Sequence, residues 1–256
     1  GEEFTAIYHP HMAPQHRGTL IFFSPLLDPV GAKAGFAQLR IALSHKGYDS
    51  FLVVNNVTLT SDQERNADVA TTDDQATPSS NDETPATESA EPTQNQPTPS
   101  SSYVPAFQLS SQIISLDDYK SQLLGQLEAV MDKASEQQKP ISVFAVGQNA
   151  GLLSEYFTDY PDIQLQALIT LNVYLPVPDR NRHIGANLSI IAPSVLDIRD
   201  TSASSWSLAL TQQSLRWSGK NQKLDYRQLN LLDEIESPQQ LARVSQEIDG
   251  FLRRLF

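Results

Sequence analysis

The stretch Ile141-Ser142-Val143-Phe144-Ala145-Val146-Gly147-Gln148-Asn149-Ala150-Gly151 decides the fold. Its first six residues are almost continuously apolar and end abruptly at a glycine, the pattern of a strand buried on both faces. Gly147 and Gly151 bracket a tight turn, and Leu152 to Phe157 then reads as a helix. A buried strand that feeds directly into a helix is half of a βαβ unit and calls for a parallel sheet.

Working outward, Phe4 to Tyr8 and Gly18 to Ser24 read as strands, followed by a helix around Lys33 to His45 that stops at Gly47 and by the strand Phe51 to Val54. On the other side of the turn lie the buried strand Gln166 to Tyr174, a strand within Leu188 to Ile198, a helical stretch from about Ser202 to Trp217 and a weaker strand at Leu224 to Leu229. Ser115 with Asp118 resembles a capping box, and Leu116, Tyr119, Leu123, Leu127, Val130 and Ala134 keep helical spacing behind it. Ser237, Pro238 and Gln240 open a last helix whose core face is Leu241, Val244, Ile248, Phe251 and Leu255. The alternation predicts an α/β fold of three layers, a mostly parallel central sheet with helices on both faces.

Composition breaks between Thr60 and Ser100, where Thr, Ser, Asp, Glu, Gln, Asn, Ala and Pro dominate and Val69 is the one large aliphatic residue. Nine acids face the single base Arg65 there, a net −8 of the chain's −12, and five prolines bar regular pairing. A segment with so little apolar surface does not offset its ordering entropy. It reads as a disordered acidic insertion at 60–100 within one domain spanning 1–256, a tolerated surface loop first and a tether or docking arm second.

Thirty acids against 18 Lys plus Arg repel a phosphate backbone, so no nucleic-acid partner is expected. The absence of cysteine removes disulfides, thiolate metal sites and a cysteine nucleophile. No apolar run reaches 18 residues, so the chain is expected not to span a membrane.

The turn at Gly147, Gln148, Asn149, Ala150 and Gly151 has the context of the elbow that presents a nucleophile between a strand and a helix. Its central residue on the Gly-x-nucleophile-x-Gly spacing is Asn149, and a carboxamide has no proton to surrender for acyl transfer. Asp197 or Asp200, near the end of a late strand, stands where a remnant acid would. A base should follow the last strand, yet no histidine follows His183. Ser24 and Pro25 occupy the region of the oxyanion loop, where Ser24 reads as an ordinary hydrogen-bonding serine.

At this turn the chain resembles the α/β-hydrolase superfamily, and more closely a proteobacterial family of degenerate hydrolase-like envelope proteins. The residues concerned are the Gly18 to Pro25 strand, the block LRIALSHKGYDSFLVV from Leu39 to Val54, VGQNAG, ALITLN, PSVLDI from Pro193 to Ile198, and Tyr226-Arg227-Gln228. The resemblance implies a periplasmic or secreted protein whose signal peptide precedes Gly1, a low-complexity insertion where 60–100 stands, an elbow without serine, and no cofactor. Three functions follow as expectations. The first is a non-catalytic protein that binds another envelope protein or a small ligand. The second is a hydrolase with a displaced nucleophile, Ser154 or Ser24, or with water activated by Asp197. The third is a structural component of an envelope assembly.

His9, His11 and His16 cluster near the amino terminus in a stretch that holds Pro10 and Pro14, and they read as solvated histidines of a connecting loop, with zinc or copper ligation as the alternative. No metal site is assigned. His45, in the last turn of its helix, reads as a dipole cap. Trp206 and Trp217, 11 residues apart, read as one core-facing stripe with Leu208, Leu210 and Leu215. Arg180, Arg182, Arg253 and Arg254 read as solvated surface.

Overall fold

The computed structural model describes residues 4–25, 34–54, 57–59 and 112–255. The segment read as a disordered insertion, 60–100, lies outside them. In chain order the elements are β1 (Thr5–His9), β2 (Gly18–Phe23), α1 (Ala34–Ser44), β3 (Tyr48–Val54), β4 (Val57–Leu59), β5 (Gln112–Ile114), α2 (Leu116–Ser135) and β6 (Ile141–Val146). They continue as α3 (Gln148–Asp159), β7 (Ala167–Leu171), α4 (Pro178–Ile190), β8 (Ser194–Arg199), α5 (Ser205–Lys220), β9 (Tyr226–Asn230) and α6 (Pro238–Leu252).

Seven strands form one sheet in the order β1-β3-β2-β6-β7-β8-β9, and β4 pairs with β5 separately. Every neighbour in the large sheet is parallel except β1, which runs antiparallel to β3. The central strands are buried on both faces because each face has its own helical layer. Val143, Leu168 and Val195 pack with residues of α2, α3 and α4, whereas Phe144, Ile169 and Leu196 pack with α1 and α6. The expected three-layer α/β architecture is therefore present.

Chain order progresses from β2 to β3 on one side and from β6 through β9 on the other, so strand order reverses between β2 and β6. In an open α/β sheet the carboxyl ends of the strands on either side of such a reversal border the usual crevice for a ligand. Ser24 follows the last residue of one of these strands and Gly147 that of the other.

The caps form as the sequence leads one to expect, with one shortfall. Ser115 Oγ accepts from the Asp118 amide at 3.1 Å and donates to the Asp118 carboxylate at 2.6 Å. Ser237 Oγ accepts from the Gln240 amide at 3.4 Å, but the buried Gln240 side-chain oxygen has no partner, so that capping box is half closed. His45 follows the last residue of α1 with an exposed ring, and it is its backbone N–H that closes the turn on Ile41.

Two expectations about the helix surfaces fail. The tryptophan stripe is not core: Trp206, Leu208 and Leu215 are exposed, and the buried side of α5 is Ser207, Leu210, Ser214 and Ser218. Small residues win that face because α5 lies close along α4, joined by Gln213 to Arg182 O at 2.6 Å and Asn221 to Ser189 Oγ at 2.6 Å. Arg180 is not solvated surface either. Its guanidinium grips Glu155 at 2.6 and 2.8 Å and Asp117 at 2.8 Å. Arg182 and Arg253 do remain largely exposed.

Candidate functional site

β6 ends at Val146 and α3 begins at Gln148, so one residue makes the turn. Gly147 makes it with φ 56° and ψ −119°, a conformation that costs any residue with a Cβ dearly. The turn is fastened by the Gly147 amide donating to Leu171 O at 2.8 Å and by Gly147 O accepting from the Tyr174 amide at 3.2 Å. A Cβ on Gly147 would stand 3.2 Å from Cε1 of Tyr174. The strained position that presents a side chain to the crevice thus carries none, and an aromatic ring lies against the space.

This corrects the register read from the sequence, which centred the elbow on Asn149. The Gly-x-x-x-Gly spacing suggested that residue, but the helix starts four residues earlier than Leu152 and takes Asn149 and Ala150 into its first turn. Gly151 is needed for a different reason: a Cβ there would meet Leu175 Cγ and Tyr174 O at 2.7 Å, so the loop after β7 sits directly on the helix. Gln148 points to the same loop, its Nε2 donating to the Tyr174 hydroxyl at 3.3 Å.

Asn149 has no exposed surface. Its Nδ2 donates to Ser24 O at 2.6 Å, and its Oδ1 accepts from the Tyr119 hydroxyl at 2.7 Å. Burial pushes the Tyr119 phenol well above its ordinary range, so it remains a neutral donor. The carboxamide therefore joins α2, α3 and the end of β2 across the strand-order reversal, where the crevice would open. Ser24 is buried, its carbonyl engaged by Asn149 and its hydroxyl 3.5 Å from Val53 O. Ser154 is also fully buried and donates to Gly151 O at 2.7 Å, a back-bond within its own helix.

The two aspartates part company. Asp197 lies inside β8, fully buried, accepting from Thr170 at 2.9 Å, Arg199 at 2.8 Å and Tyr226 at 2.8 Å. Burial, then the Asp197 charge, raises the Tyr226 phenol, which keeps its proton in this knot. Asp200 follows β8 at the crevice end, the place of a remnant acid. It accepts from Asn172 Nδ2 at 2.6 Å, from the Ser202 amide and hydroxyl at 2.9 and 2.6 Å, and from the Ile235 amide at 3.1 Å. That last donor is a main-chain N–H from the loop after β9. Pro25, Val146, Asn172, Asp200, Ser202 and Glu234 border a cavity of about 40 Å³. Small-molecule pockets are roughly 300–1,000 Å³.

A third cluster lies at the opposite, amino-terminal end of the strands. Asp49, with a side chain 3% exposed, faces His11 Nδ1 at 2.7 Å and His16 Nε2 at 3.4 Å. These histidines are not solvated as the sequence suggested, and His9 stays apart on Pro10 O. Asp49 is separated from them by 33 residues or more, too far for a local motif to show.

The whole length bears on lineage, because the model of one family, described as protein of unknown function (DUF3530), matches residues 1–254. The chain belongs to that family. No curated protein matches its sequence. Among solved structures, this DUF3530 chain is similar to a dienelactone hydrolase from Anabaena variabilis, at 12% identity and TM-score 0.56 over 98% of this chain and 91% of that one. Est1E from Butyrivibrio proteoclasticus with bound ferulic acid gives 9% identity and TM-score 0.60 over 98% and 95%. A soluble variant of monoglyceride lipase from Saccharomyces cerevisiae gives 8% and 0.58 over 98% and 92%. The fold is that of the α/β hydrolases. No helix among the described residues is long and apolar enough to cross a membrane.

Proposed function

We propose that this protein is a non-catalytic α/β-hydrolase-like protein that works by binding, with a partner protein in the bacterial envelope as the expected target. One observation carries the reading: the strained residue at the end of β6 is Gly147, with the Tyr174 ring 3.2 Å from where its Cβ would stand. Acyl transfer needs a nucleophile there and a base to take its proton, and no histidine follows His183. A displaced nucleophile gains no support, since Ser24 and Ser154 are buried and face main-chain carbonyls. Among the described residues the cavity beside Asp200 is only about 40 Å³, which supports a docked partner over a ligand enclosed at that end of the sheet. The envelope assignment rests on the resemblance to proteobacterial hydrolase-like proteins. Fractionation of cells expressing the full gene should find the protein outside the cytoplasm, and a cytoplasmic protein would remove that part of the reading.

The test of the chemistry is turnover of short-chain p-nitrophenyl esters. The wild type should match the buffer background, and so should Gly147→Ser, because a restored hydroxyl has no base beside it. Ester turnover by the wild-type protein would overturn the reading.

A further inference from the structure

We propose that His11, His16 and Asp49 form a binding site for a divalent transition metal of the zinc type, at the end of the sheet opposite the crevice. One ligand atom from each of the three residues lies within 4.8 Å of the other two. The donor set, two imidazole nitrogens and one carboxylate, suits zinc, copper, nickel or cobalt; magnesium and calcium prefer all-oxygen shells. Three protein ligands leave a fourth position for water, and the rim provides access, since His11 and His16 are 29% and 18% exposed above a nearly buried carboxylate.

The surroundings are those of a supported site. Tyr8 donates to Asp49 Oδ2 at 3.0 Å and the His11 amide to Oδ1 at 2.6 Å, which fixes the carboxylate from outside the ligand set as outer partners do in metal centres. The loop bearing the histidines is pinned to neighbouring backbone by the Met12 amide on Ser44 O at 2.9 Å and the Arg17 amide on Gly47 O at 2.8 Å. The imidazoles stack 4.5 Å apart, 5° from parallel. With one ring protonated the cluster is an ordinary ion pair with Asp49; with both rings neutral, as metal ligation requires, the buried carboxylate takes its counter-charge from elsewhere. A divalent ion supplies that charge. It replaces the hydrogen bond between His11 and Asp49 and the 3.4 Å contact of His16 with the same carboxylate, and modest ring rotations bring both nitrogens to the ~2.0–2.1 Å of a metal bond. His16 Nε2 then gives up its 3.2 Å contact with Gly18 O. The bound ion ties the β1–β2 connection to β3.

The experiment uses the full chain stripped with EDTA. Zinc is titrated by calorimetry, cobalt(II) by visible absorption, and the melting temperature is read with zinc and again after chelation. One equivalent of zinc should bind, cobalt should give the intense bands of a low-coordinate site, and zinc should raise a melting temperature that EDTA returns. His11→Ala and His16→Gln should each weaken zinc by ~100-fold or more, and Tyr8→Phe by ~10-fold. His9→Ala should leave the affinity unchanged. Circular dichroism of His16→Gln shows that the loss is not unfolding. The site is overturned if folded wild type takes up no zinc, or if uptake survives loss of both His11 and His16.

Discussion

Asn149 meets a buried partner at each end of its carboxamide, so truncating it strands two groups at once. Asn149→Ala leaves the Tyr119 hydroxyl and Ser24 carbonyl without a partner in the core, which should cost about 3 kcal/mol. Tyr119→Phe removes one of the two bonds and should cost about 1–2 kcal/mol. The two changes share a bond, so their combination should cost less than the two losses together. Urea denaturation of the four proteins measures this, and strict additivity would mean that Asn149 and Tyr119 do not act as one clamp. The sequence showed a carboxamide, Asn149, at the centre of the Gly-x-x-x-Gly spacing. It did not show that the turn is made two residues earlier, because a glycine spacing does not reveal which residue takes positive φ.

The elements were legible where periodicity is strong. β6, β7, α2 and α6 lie close to where apolar runs and caps place them, since their burial is dictated by one pattern along the chain. α4 was not, because PDRNRHIGANLSI is mostly polar and buries Asn181, Gly185 and Ser189 along with Ile184 and Leu188. That helix is held partly by Arg180, which with Lys120 of α2 grips Glu155 of α3. Burial raises the Glu155 pKa, but the hydrogen bonds and charges of Arg180 and Lys120 outweigh it and hold the carboxyl below its ordinary value. A carboxylate depressed in the folded state contributes stability above its unfolded pKa of about 4.3 and loses it as pH falls through the folded value. Glu155→Gln should therefore lower stability at pH 7 and flatten the acid limb of the stability curve between about pH 5 and 3. Equal pH profiles for wild type and variant would show that the triad of charges does not couple the three helices.

At the scale of the molecule, the three-layer plan was legible because strands and helices alternate along nearly the whole chain. The joining of distant residues was not: Asp49 with His11 and His16, and Asp200 with the amide of Ile235, come together only once the sheet is assembled. The acidic stretch 60–100 carries two thirds of the net charge and almost no apolar surface, so the fold should stand without it. Replacing it with a short Gly/Ser linker should leave thermal unfolding cooperative, with a melting temperature near that of the parent. Loss of a cooperative transition would show that the segment contributes to the core.

The crevice between β2 and β6 is bolted by Asn149, and the residue at its apex, Gly147, has no side chain with which to attack a carbonyl. The most direct measurement is the intact mass of the wild-type protein after prolonged exposure to a fluorophosphonate probe. An unmodified chain is expected. A stoichiometric adduct that maps to Ser24 or Ser154 would contradict it.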